Sequence, residues 1–222
     1  MDWTALALSL RLAALTVLIL LPIGIGLGRL LAFRSFPGKG VAEAALALPL
    51  VLPPTVIGYY LLVTFGGSSP IGQAIQSTFG GALVFTFEGL LVACVLINLP
   101  FAVQPMQRAF EAIPRDVREA ASVSGLSPLQ VLIRIDFPLA WPGILTGLIL
   151  AFAHTLGEFG VVLMVGGSIP GETRTIAIAI YDRVQAFDNV GAGIMSVTLL
   201  VFSLGAFAAT YGLSRRIGRR HG

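Results

Sequence analysis

Five apolar runs take up most of the 222 residues: about Leu6 to Phe33, Glu43 to Phe65, Ala82 to Gln107, Leu139 to Val165 and Val190 to Ser214. An α-helix rises about 1.5 Å per residue, so about 20 residues cross the roughly 30 Å hydrocarbon core of a bilayer. Each run is long enough. No water bonds the backbone inside lipid, so an isolated span must be helical. A membrane β-barrel would show short alternating segments instead. Charged residues make up only 11% of the chain and the mean hydropathy is +0.90, whereas a soluble domain carries about 25% charge. Soluble, disordered and disulfide-rich classes are thereby excluded. The one cysteine, Cys94, allows no intramolecular disulfide and reads as a packed core thiol. The expected fold is all-α: a single polytopic membrane domain over 1–222 with about five transmembrane helices.

Eleven of the fourteen basic residues fall in three places: Arg29, Arg34 and Lys39; Arg108, Arg115, Arg118 and Arg134; and Arg215, Arg216, Arg219 and Arg220. With five spans all three groups lie on one side, and an excess of Lys and Arg marks the cytoplasmic side. Asp2, Glu172, Asp182 and Asp188 fall opposite. This predicts an outer N-terminus and a cytoplasmic C-terminus; six spans would put the basic tail outside. Met1-Asp2-Trp3 lacks the positive start of a signal peptide, so the first run reads as a retained span. Gly66 to Gly81 and Gly166 to Asn189 become outer loops, either solvated connectors or surfaces that touch another protein. Within the second, Thr173 to Phe187 is compatible with a short helix against the outer face.

Arg108 to Pro138 is the one long charged region. Pro114 opens a helix-compatible run, RDVREAASVS, and Gly125 stops it. Ser127 is placed to cap a second helix with Pro128 in its first turn. That helix is expected over about Pro128 to Asp136, with Pro138 ending it. Four arginines permit this helix-turn-helix to lie on lipid headgroups. Small Ala120 and Ala121 beside Arg118 and Glu119 suit docking into a partner's groove instead.

The order Glu119-Ala120-Ala121, three residues, Gly125, nine residues, Ile135, one residue, Phe137-Pro138 resembles the EAA–G–I–LP motif of bacterial ABC importer permeases. Phe137 stands where that motif has Leu. The resemblance implies a type I importer permease architecture in which this loop, about 108–138, is the coupling helix on an ATP-binding ABC subunit. Its contact residues would be Glu119, Ala120, Ala121, Gly125, Ile135 and Pro138. Phe36-Pro37-Gly38-Lys39, the run Leu48 to Tyr59, Leu156-Gly157-Glu158-Phe159-Gly160 and Ile169 to Thr175 are similar to the molybdate branch. The sulfate/thiosulfate branch shares the Gly-Glu-Phe-Gly region and is the alternative. The resemblance thus implies a permease that moves molybdate or tungstate into the cytoplasm by alternating access. Its implied partners are the ATPase, an extracytoplasmic oxyanion-binding protein, a second permease copy and the lipid bilayer, with no nucleic acid. Its implied location is the bacterial or archaeal cytoplasmic (inner) membrane.

An ionised side chain at the bilayer centre costs about 2.5–3.5 kcal/mol on insertion scales. Arg11, Glu43 and Glu88 fall near span ends, but Glu158 lies deep in the fourth run, flanked by Gly157 and Gly160. His154 is one helical turn earlier, so the two share a face. They read either as a gate pair or as a buried pair that fixes packing, and a neutral imidazole would supply a hydrogen bond between them. The family usually has Arg near position 154. Thr55 after Pro53-Pro54, and Asn98 before Pro100, are candidates to line a cavity where prolines disturb the helix ladder. The chain has no GxxxxGK[ST] run, no His/Cys metal spacing and no Gly-x-Ser-x-Gly elbow. No catalytic residue, metal or cofactor is therefore expected, and ATP hydrolysis is assigned to a partner chain. A self-sufficient channel or ion-driven transporter is the third reading.

Overall fold

The computed structural model describes residues 1–218, without the side chains of Phe79, Ser122 and 206–218. Arg219 and Arg220 lie outside the described residues, as do the side chains of Arg215 and Arg216. The described residues form helices in the order α1 (Trp3–Phe33), α2 (Lys39–Val51), α3 (Pro54–Phe65), α4 (Pro70–Phe79), α5 (Phe87–Glu111), α6 (Arg115–Val123), α7 (Pro128–Val131), α8 (Phe137–Gly157), α9 (Gly160–Gly166), α10 (Ile176–Gln185) and α11 (Asn189–Gly218).

The centre is α5, held between α1 and α8. Along α1 the buried positions Leu8, Leu12, Thr16, Leu20, Gly24 and Gly28 recur every four residues, one stripe of a helix. Asp2 starts that helix by accepting from Ala5 N–H at 2.9 Å. Glycines then set the spacing. A Cβ on Gly28 would lie 3.0 Å from Gln107 N, and one on Gly147 of α8 would lie 2.7 Å from Ala102 O. The two neighbours therefore approach α5 backbone to backbone, as small-residue stripes allow in membranes. Leu20, Met106, Phe110 and Ile144 fill the space between.

Among the described residues, three helical stretches are each long and apolar enough to cross a membrane: α1, α5 and the continuous run Pro128–Gly157. The second expected span is not one helix. α2 and α3 meet at 110°, because neither Pro53 nor Pro54 has an N–H to give and each pushes its predecessor to extended backbone. Leu52 and Pro53 accordingly have ψ of 140° and 136°. The fourth span also breaks: α8 ends at Gly157 and α9 restarts at Gly160, with Glu158 extended between them. The third span starts later than expected, at Phe87, after a turn in which Phe85 N–H bonds Val165 O at 2.9 Å. It then runs unbroken through Pro100 and Pro105, as membrane helices do when neighbours hold the turn. The fifth falls on α11, whose described apolar part is Asn189–Gly205.

Pro138 does not end a helix. A π-turn over Leu132–Asp136, in which Phe137 N–H donates to Leu132 O, carries α7 into α8. The wider turn shifts the hydrogen-bond register just before Pro138, so the helix passes through the proline into α8 instead of ending there.

Side-chain contacts sort the helix ends into two groups. At one end, Gln107 near the end of α5 donates to Glu43 of α2 at 2.9 Å, and Arg29 of α1 pairs with Asp136 at 2.7 Å. At the other, Ser9 of α1 accepts from Ile176 N–H of α10 at 2.8 Å, and Arg11 stacks on Phe87. Asp188 precedes α11 there; the Gly191 N–H, and then Arg183, hold its carboxyl below the usual carboxylate range. The loop helices α4 and α10 are capped by Ser69 and Thr175.

Candidate functional site

The charged segment is built from local signals. Gly125 has φ +76° with open space around its Cβ position, and Leu126 N–H closes the turn on Ala121 O at 3.2 Å. Ser127 and Gln130 cap α7 reciprocally, at 3.3 Å and 2.8 Å. The result presents Glu119, Ala120, Gly125 and Pro138 to the outside, buries Ala121, and half-buries Ile135. Exposed Leu129 and Ile133 extend this face; at 64% and 59% exposure they are apolar surface without cover in the protomer. A cavity of about 1320 Å³ opens between the segment and the end of α1, with Arg29, Arg34, Arg115, Arg118, Glu111 and Glu119 on its walls.

One charge within the segment is hidden. Asp136 has 0% exposure. Its Oδ2 accepts from Arg29 Nε at 2.7 Å and its Oδ1 from Arg118 Nε at 3.1 Å. The Arg118 guanidinium also lies 3.5 Å from the centre of the Phe33 ring. The sequence marks Arg29 for topology, Arg118 for topology and as a neighbour of the docking alanines, and Asp136 as a helix end. A carboxylate inside the apolar Ile135–Phe137 stretch was the signal that a cationic partner was needed.

The second cluster joins three of the four pathway candidates. Asn98 is fully buried. Its Nδ2 donates to Cys94 O at 2.8 Å and to Thr155 Oγ1 at 3.1 Å, so its Oδ1 faces His154 Nδ1, 3.1 Å away. The amide cannot be turned over, since its oxygen would then face the Cys94 carbonyl. His154 Nδ1 therefore carries a proton and donates to Asn98. Nε2 of a neutral ring is then a bare lone pair facing Glu158 Oε2 at 3.8 Å. The neutral-imidazole hydrogen bond expected between this pair is absent, because that proton is spent on Asn98. Phe101 stacks on the ring at 4.2 Å between centroids.

Glu158 instead uses Oε1 to accept from Val161 N–H at 2.8 Å, which satisfies an orphan donor in the first turn of α9. It is 5% exposed. Thr55 is exposed and belongs to the other break. A Cβ on Gly160 would lie 2.8 Å from Pro54 Cβ and 3.4 Å from Thr55 N, so the two interrupted spans meet at their interruptions. The flanking glycines differ: Gly160 permits that approach, while Gly157 faces open space. No group of three or more His, Cys, Asp or Glu that could hold a metal occurs among the described residues.

Residues 21–219 match the family described as "Binding-protein-dependent transport system inner membrane component". The molybdenum transport system permease protein ModB of Azotobacter vinelandii is 48% identical over 215 residues, 97% of this chain and 95% of that protein. A probable sulfate transport system permease protein, cysT, of Helicosporidium sp. subsp. Simulium jonesii is 31% identical over 90% of this chain and 73% of that protein. Among solved structures, a bacterial alginate ABC transporter in complex with alginate pentasaccharide-bound periplasmic protein superposes with TM-score 0.78 at 21% identity, over 96% of this chain and 78% of that one. At that identity the likeness speaks for the fold.

Proposed function

The chain belongs to the binding-protein-dependent transport inner membrane component family, and on that premise we propose that it is the permease subunit of an ABC importer for molybdate or tungstate. The observation that carries the substrate class is the 48% identity over nearly the whole chain with a molybdenum permease, against 31% with a sulfate permease. The double charge and tetrahedral shape of the oxyanion are common to both branches, sulfate being the smaller, so sulfate is the second reading. The permease forms one membrane domain and acts as a pair of copies around a shared path. The exposed apolar residues of α2 and α3, among them Val41, Leu48, Val51, Tyr59 and Tyr60, suit cover by that copy or by lipid. An ATPase docks on α6 and α7, and an oxyanion-binding protein docks at the α10 end. ATP binding moves the coupling segments and switches access; hydrolysis resets it. The deciding experiment is reconstituted uptake with the cognate ATPase and binding protein. Molybdate should accumulate only with ATP, with tungstate competing and sulfate not. Competition by sulfate at equal concentration would favour the second reading, and uptake without the ATPase would favour a self-sufficient channel or ion-driven transporter.

The orientation places the Arg29, Lys39 and Arg118 end in the cytoplasm, on the strength of the basic excess there. A reporter inserted near Ser69 should read external and one fused after Arg220 cytoplasmic. An external C-terminus would overturn the arrangement.

The coupling role gives a further expectation. At Gly125 the left-handed backbone costs a residue with a Cβ about 1–2 kcal/mol, and a β-branched one more. Gly125→Val should therefore distort the turn that presents α6, while open space leaves packing intact. Glu119→Lys reverses an exposed charge on the same face. Both variants should insert normally and lose most binding-protein-stimulated ATP hydrolysis. Normal uptake in both would count against docking here.

A further inference from the structure

We propose that Asp136 is the positioning residue that makes α6 move as one body with α1 and α8, so that force from the ATPase enters the membrane bundle through a buried ion bridge. This rests on the permease reading above. Among the described side chains of α6 only Ala121 is buried; Val117 and Val123 are 38% and 89% exposed. A helix with so little apolar cover is not held to the bundle by packing. Its observed attachment is Arg118, which bonds Asp136 Oδ1 at 3.1 Å and lies over Phe33 of α1. Asp136 stands in the π-turn at the root of α8, and its other oxygen takes Arg29 of α1 at 2.7 Å. One carboxylate thus ties three elements. The arginines keep 29% and 28% side-chain exposure while the carboxylate has none, so the shared anion is the buried centre on which both cations converge.

The π-turn completes the device. It widens one helical turn so that Asp136 faces the two arginines while α8 continues beyond it without a gap. A push on α6 is then transmitted to α1 and α8 together, both of which grip α5 through glycines.

The test uses the full transporter with its ATPase and binding protein in vesicles. Spin labels go at Val123 of α6 and Leu30 of α1, both exposed, in a Cys94→Ala background. In the otherwise wild-type bridge the label distance should be the same in nucleotide-free and ATP-trapped states. In Asp136→Asn, which keeps shape and removes the anion, it should differ between states by at least about 2 Å, the scale of functional helix shifts. Uptake per ATP hydrolysed should fall about tenfold, within the range that coupling between sites covers. Arg118→Gln cuts only the α6 arm, leaves Asp136 paired with Arg29, and should behave alike; it decides the matter if Asp136→Asn fails to assemble. A merely structural bridge would lower the melting temperature but leave the distance constant. A constant distance in the variants, or a changing one in the wild-type bridge, overturns the proposal. Absence of any ATP-dependent uptake in the wild type overturns the functional reading itself, and this bridge with it.

Discussion

Gly147→Leu is expected to yield no folded protein after detergent extraction. A single Cβ at this position already comes within 2.7 Å of Ala102 O and 3.3 Å of Ala102 Cα. Those are backbone atoms of α5, which cannot swing aside as a side-chain tip would. Inserting methylenes into a packed core costs about 1–3 kcal/mol where neighbours can yield, and here a whole side chain meets main chain. Gly147→Ala sets the scale: a loss of about 1–3 kcal/mol, or roughly 2–12 °C in melting temperature for a chain of this size. Gly157 is the internal control. It lies on the same helix, with nothing within 4 Å of its Cβ position, so Gly157→Ala should stay within about 0.5 kcal/mol of wild type. Equal melting temperatures for the two alanine variants would mean that close approach to α5 is not what holds α8.

That contrast shows what sequence could and could not disclose. Gly157 and Gly160 look alike on paper, yet only Gly160 touches another helix. Hydropathy located the apolar runs because lipid constrains every residue of a span in the same direction. It could not locate the breaks. Apolarity continues through Leu52-Pro53-Pro54 and across Phe159, while the chain direction depends on missing N–H groups and on one carboxylate capping a new helix. The helix-turn-helix of the charged segment was legible because its signals are local: Gly125 at positive φ, and Ser127 with Gln130 around Pro128. Its link to the bundle was not, because Asp136 and Arg29 are 107 residues apart in sequence. Asn98 was read as a cavity lining from its neighbour Pro100. In the fold it stands behind His154 with both its amide groups bonded.

The His154–Glu158 pair carries the second large effect, and two variants of Glu158 divide its duties. Oε1 serves the backbone by accepting from Val161 N–H at 2.8 Å; Oε2 faces His154 Nε2 at 3.8 Å without a hydrogen bond. Glu158→Ala removes both and leaves a buried donor unsatisfied at the start of α9, at a cost of about 1–3 kcal/mol. Its melting temperature should fall accordingly. Glu158→Gln keeps an oxygen for Val161 and brings an N–H₂ that can donate to the bare Nε2 lone pair. The break should therefore stay as stable as in the wild type, within about 0.5 kcal/mol. What glutamine removes is the charge next to a titratable ring in an interrupted span, where ionisable groups are costly and are kept for a reason. If the pair gates the path, the glutamine variant should be locked by its new hydrogen bond and should transport several-fold more slowly at unchanged melting temperature. Melting curves and reconstituted uptake on the same preparations separate the cases. Wild-type uptake by Glu158→Gln beside a destabilised Glu158→Ala would refute the gate and leave Glu158 as the cap that starts α9.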